Sequence, residues 1–230
     1  MSAITAPPQR AARRGHRRTR SFGRSAAQLL PWPTVTPLAT AMVVLLLTTT
    51  LLLRTHPGDV GTVVAWASTN LHNLAHHPVA ALVVSMFVVT GTLLPELLVV
   101  AISFAVLERA VGALRTAVIA LTGQVVATLL TEYGADLGAR WHLLAASSAD
   151  RPDVGVSYVM YAVLAASVLL PVGRARLMGV LAVGACVLVP FLIAPGMTST
   201  GHVLAVTVGA VTMALIQRHA RRRDRRISSR

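Results

Sequence analysis

The 230-residue chain has no lysine, a single cysteine, 4% aromatic residues and only eight acidic side chains. Charged residues make up 13% of it against 54% hydrophobic ones. A soluble domain of this length carries roughly twice that share of charge, so a soluble globular class is excluded. The lone Cys186 excludes a disulfide framework, and within an apolar run it is expected to be a buried, inert thiol. The basic residues are all arginine, 21 of them, a bias that reflects a GC-rich genome more readily than chemistry. Their densest runs are Arg13-Arg14-Gly15-His16-Arg17-Arg18 and Arg221-Arg222-Arg223-Asp224-Arg225-Arg226. With no interleaved aromatics and no nucleic-acid fold, these runs read as tails that hold orientation or touch anionic lipid, not as nucleic-acid binders.

What is present is a series of apolar runs. Residues 1–34 form a basic tail rich in Arg, Pro and Ser, expected to be disordered, and 218–230 form a second basic tail. Residues 35–217 form one all-α, multi-pass membrane domain. Its first run, Pro37 to Leu53, lacks a small-residue cleavage site and reads as a retained anchor helix. Further runs cover 79–90, a stretch ending at Arg109, 116–131, 154–171, 177–194 and 199–217. A span takes roughly 20 residues, so the run at 79–90 is too short and reads as an embedded loop or interfacial helix. Arginine placement agrees. With that run not crossing, six helices put both termini on the cytoplasmic side, with Arg54, Arg140 and Arg151 outside against 18 arginines inside. The cell membrane is the expected location. Loops 54–78 and 132–153 then lie outside, the latter carrying Glu132, Asp136, Asp150 and Asp153.

In this topology Ser157 lies about one turn into the fourth helix, and His202 lies at a similar depth in the sixth. A serine hydroxyl becomes a useful nucleophile when an imidazole takes its proton, and a low-dielectric site can hold that pair away from competing water. Gly155 would let a substrate backbone approach closely. Tyr161 falls one turn below Ser157 on the same face, where its ring could support the imidazole. Ala205 and Gly209, at +3 and +7 from His202, form a small-residue stripe that allows close helix packing. The bland alternative is a serine that only hydrogen-bonds within its helix, but an intramembrane histidine is rarer and counts as a functional candidate. His56, His72, His76 and His77 raise a metal hypothesis, yet no nearby carboxylate completes a site, and Asn73 and Pro78 suit a capped turn.

The string Glu108-Arg109-Ala110-Val111-Gly112-Ala113, the Gly155-Val156-Ser157 triplet followed by Tyr161, and His202 followed by Gly209 together resemble three landmarks of rhomboid proteases, in order. The resemblance implies a six-helix core with an embedded first outer loop. It implies a serine peptidase that cleaves transmembrane substrates without metal or organic cofactor, with Ser157 as nucleophile, His202 as general base and Tyr161 as its packing support. A catalytically silent relative that binds transmembrane segments is the alternative. Partners would be transmembrane substrates or clients and membrane lipids; the oligomeric state is open. The chain departs from the family pattern at the oxyanion hole. The family's His and Asn donors correspond here to Thr92 and Glu96, and the usual glycine after the serine is Tyr158. Only a protonated Glu96 could donate, and losing one oxyanion donor costs about 100- to 1,000-fold in rate. A solvated helix-start carboxylate is the competing reading of Glu96.

Overall fold

The computed structural model describes residues 30–89, 91–142 and 152–228, so the tail up to residue 29 and Asp150 and Arg151 lie outside the described residues. Within them the chain is helical: α1 (Pro37–Thr55), a short 3-10 turn, α2 (Val60–Ala67), α3 (Leu71–His76), α4 (Pro78–Ser85), α5 (Leu93–Val111), α6 (Ala113–Arg140), α7 (Ser157–Val168), α8 (Arg174–Ile193) and α9 (Met197–Ser228). Four of these, α1, α6, α8 and α9, are long and apolar enough to cross a membrane, and α7 is a shorter apolar helix.

Proline at its first position starts α1, but no side chain of its own caps it. The cap comes from Glu108, near the end of α5. Its Oε1 accepts from Leu38 N–H at 3.0 Å and its Oε2 from Ala39 N–H at 2.8 Å. A carboxylate aimed at a helix N-terminus satisfies orphan donors and meets the positive end of the dipole. Arg109, next to it, donates from Nη2 to the Leu30 carbonyl at 2.7 Å. Gly112 then closes α5 through its N–H to the Glu108 carbonyl at 2.8 Å and turns the chain into α6 at φ +88°, ψ 160°, a region essentially restricted to glycine. The Glu-Arg-x-x-Gly string is therefore a structural joint between α1, α5 and α6. Glu108→Ala should lower unfolding free energy by about 3 kcal/mol, since hydrogen bonds to a charged group are worth about 1.5–3 kcal/mol each. Thermal unfolding in detergent, read by helical circular dichroism, checks this; an unchanged midpoint would remove the joint.

The segment between α1 and α5 folds as short helices. Asn70 caps α3 by accepting from Asn73 N–H at 2.9 Å, and Asn73 Nδ2 donates to the carbonyls of Ala65, Trp66 and Ser68. Among the described residues of the 79–90 run, helix extends no further than Ser85, in the eight-residue α4 (Pro78–Ser85), far below a span. Its end is tied inward. Thr49 Oγ1 donates to the Phe87 carbonyl at 2.6 Å, Gln124 Nε2 to Ser85 Oγ at 3.2 Å, and Gly155 N–H to the Ser85 carbonyl at 3.0 Å.

The expected outer loop 132–153 starts later than the composition implied: α6 continues to Arg140, where an i, i+4 pair with Asp136 at 2.8 Å supports its last turn. The core runs through α7. This helix of 12 residues packs against α5, α6, α8 and α9, and Val159, Val163 and Ala166 on it join Phe104 of α5, Ile119 of α6 and Met213 of α9.

Candidate functional site

Ser157 is the first residue of α7, not one turn inside it as the apolar run implied. The helix starts there because the chain entering it is held from outside. Asp153 N–H donates to Ser68 Oγ at 2.9 Å, Thr69 N–H to the Asp153 carbonyl at 2.8 Å, and Thr69 Oγ1 to Asp153 Oδ2 at 3.3 Å. Gly155 follows at φ +145°, a conformation L side chains rarely adopt, so this glycine is required by the backbone whatever approaches it. Ser157 is half-buried and lines a narrow cleft with Thr69, Ser85, Gln124, Asp153 and Tyr158.

His202 sits in the second turn of α9, and its ring lies between two tyrosines of α7. Tyr161 is tilted against it with centroids 4.5 Å apart, and Tyr158 meets it edge-on at 6.0 Å. Tyr161 thus lies against the imidazole, which is level with the first turn of α7 rather than with Ser157 alone. The His202 Nε2 is buried without a hydrogen-bond partner, so the Ser157 hydroxyl does not bond to it. His202 instead lines a cavity of ≈ 510 Å³ between α8 and α9, with Pro190, Ala194 and Ser199. The two side chains open onto different spaces in this structure.

Small residues let these helices meet. A Cβ on Gly209 would fall on the main chain of Ala162, and one on Gly201 would fall on the Tyr158 ring. Ala205 is fully buried between Ala127 and Tyr158. Tyr158 consequently fills the space between α7 and α9 beside the serine, with its buried hydroxyl near Asp153 and Thr131.

Thr92 precedes α5 without capping it by its side chain, and Glu96, in the first turn, places Oε1 against Gly91. Of the histidines, His76 Nδ1 pairs with the His72 carbonyl at 2.8 Å, and His77 Nε2 with the Trp66 carbonyl at 3.1 Å while its ring stacks on that indole. Cys186 is exposed on α8, not buried, with Sγ 3.7 Å from the Tyr161 hydroxyl. An apolar run signals exclusion from water, and α8 turns most of its surface outward where lipid would cover it.

One group escaped the sequence reading. Glu132, assigned there to an outer loop, is a fully buried residue of α6 with both carboxylate oxygens unpartnered. Thr128 and Gln124, one and two turns earlier on the same face, each bury an unpartnered oxygen as well. Their spacing, i, i+4, i+8 inside an apolar run, was the available signal. A buried ionisable group in a membrane helix is a functional candidate by default.

Residues 36–222 match the model of the rhomboid-like protein family. The chain belongs to that family. No curated protein and no solved structure matches it. Within this rhomboid-like chain the matched region takes in every helix from α1 to the membrane-crossing part of α9, together with Ser157, His202 and the Glu108–Gly112 joint.

Proposed function

We propose that this rhomboid-like membrane protein is an intramembrane serine peptidase acting on transmembrane substrates, with Ser157 as nucleophile and His202 as general base. The observation that carries the reading is the Tyr161 ring set against His202 at 4.5 Å, one turn below Ser157 on the same helix. It holds an unpartnered, buried Nε2 beside the helix that bears the nucleophile. Catalytic hydrogen bonds are often long before substrate binds and tighten in the complex. The first turn of α7 also has backbone N–H groups that lack intrahelical acceptors, and these add to Thr92 and Glu96 as candidate oxyanion donors. Neither metal nor organic cofactor enters the reaction.

In the membrane, α1, α5, α6, α7, α8 and α9 make six crossings, α2 to α4 form an embedded outer segment, and both termini are cytoplasmic. In a Cys186→Ser background, cysteines placed in either tail should resist an impermeant thiol reagent in intact cells, while one at Ala145 should react. Labelling of a tail would overturn this topology.

Fluorophosphonate labelling of the purified protein in detergent tests the chemistry: wild type should label and Ser157→Ala should not. A second reading, a catalytically silent relative that binds transmembrane segments, is favoured by the separate cavities of Ser157 and His202 and by the Tyr158 ring between them. Folded wild type that neither labels nor cleaves makes that reading the better one.

A further inference from the structure

We infer that the rhomboid-like chain holds one anionic phospholipid in a basic cavity between the start of α6 and the end of the crossing part of α9. This site is independent of the peptidase reading. The cavity, of ≈ 500 Å³, is lined by Arg115 from the first turn of α6 and by Arg218, His219 and Arg222 from α9, with Leu215 and Ile216 on one side. Arg218 and Arg222 are one turn apart and so share a face. Among the described residues none of the three arginines has a carboxylate partner. Helix α6 adds to the same charge. Its first turn contains no acidic residue and no side chain caps it, so its positive dipole end and free N–H groups stand beside Arg115.

Three guanidiniums from two helices repel one another unless an anion lies among them. Guanidinium forks fit phosphate oxygens in pairs, which identifies the ligand chemistry as a phosphate ester. The surroundings select its source. Leu215 is 57% exposed and Leu114, next to Arg115, is 79% exposed, so apolar surface adjoins the charged group. The apolar run of α9 gives way to charge from Arg218 onward, which places the cavity where hydrocarbon gives way to head groups. A soluble phosphate leaves those leucines uncovered, whereas a phospholipid covers them with its acyl chains. Basic pockets between membrane helices bind acidic head groups by this combination.

The test uses the full chain in phosphatidylcholine nanodiscs containing a minor fraction of spin-labelled phosphatidylglycerol, or of spin-labelled phosphatidylcholine for comparison. The immobilised fraction is read by electron paramagnetic resonance. Wild type should prefer phosphatidylglycerol. Arg115→Gln/Arg218→Gln/Arg222→Gln should lower that preference at least about five-fold, the factor one arginine near a charged surface supplies. Arg221→Gln/Arg223→Gln/Arg226→Gln removes the same charge outside the cavity and should keep most of it. Equal losses in the two triple variants would assign the effect to diffuse tail charge and overturn the site, as would absence of preference in wild type. Inorganic phosphate, at ionic strength matched with chloride, should leave the preference standing. If it removes the preference, the cavity takes free phosphate and the lipid assignment fails. Should the cavity variant not purify as folded helical protein, Arg115→Gln and Arg222→Gln are measured singly, and no loss in either overturns the site.

Discussion

His202→Ala is expected to lower cleavage of a transmembrane reporter in vesicles by at least about 10⁴-fold, the scale on which a serine enzyme loses rate when its base is removed. Tyr161 separates this role from mere packing. Tyr161→Phe keeps the ring that lies 4.5 Å from the imidazole and discards only the hydroxyl that contacts Cys186, so its kcat should stay within about two-fold of wild type. Tyr161→Ala removes the ring. An aromatic pair is worth about 0.5–1.5 kcal/mol, so kcat should fall about ten-fold with little change in KM, because a misplaced base affects the chemical step more than substrate binding. Reporter cleavage that survives His202→Ala would sink the general-base assignment, and equal kcat for the Phe and Ala variants at position 161 would sink the positioning role.

Gly209→Val should prevent a stable fold, and Gly209→Ala should already lower unfolding free energy by about 1–3 kcal/mol. The reason is what the new atoms would meet. A Cβ at Gly209 lands on the main chain of Ala162, which cannot rotate away as a side-chain tip could. The added methyl must push α9 from α7 along the seam that also holds Ala205 against Tyr158. Gly184 in α8 provides the control, since a Cβ there meets nothing within 4 Å. Gly184→Ala should be neutral or stabilising by up to about 1 kcal/mol through helix propensity. Denaturant or thermal unfolding of the three variants in one detergent decides; matching effects at positions 184 and 209 would show that the seam is not tight.

The seam and the place of Tyr161 were legible because both follow from helical spacing within one apolar run: +4 from Ser157 and +7 from His202. The start of α7 was not. It is set by bonds from Asp153 to Ser68 and Thr69, 85 and 84 residues away in sequence, and a hydropathy pattern contains no trace of such partners. The cap on α1 has the same character, since Glu108 reaches back 70 residues to Leu38. The Glu-Arg-x-x-Gly string marked the place through family resemblance, while its physical work, capping one helix and hinging two others, depends on contacts far apart in the chain. Cys186 went wrong for a different reason. Lipid and protein interior demand the same apolar composition, so burial within protein cannot be read from a run of valines and leucines. Glu132 lay within reach of periodicity, but Asp136 and Arg140, which lie in the last turns of α6 itself, gave this stretch the composition of a loop.

The length of α7 bears on how the protein is made. Twelve residues rise about 18 Å, against about 30 Å of hydrocarbon, so this helix cannot rest in a bilayer alone. It packs against α5, α6, α8 and α9, and the last two follow it in the chain. When α7 leaves the insertion machinery, the wall that will carry His202 has not yet been synthesised. The contact of His202 with Tyr158 and Tyr161 therefore forms only after the last helix has entered the membrane, and until then the outer end of α7 lacks the wall it packs against.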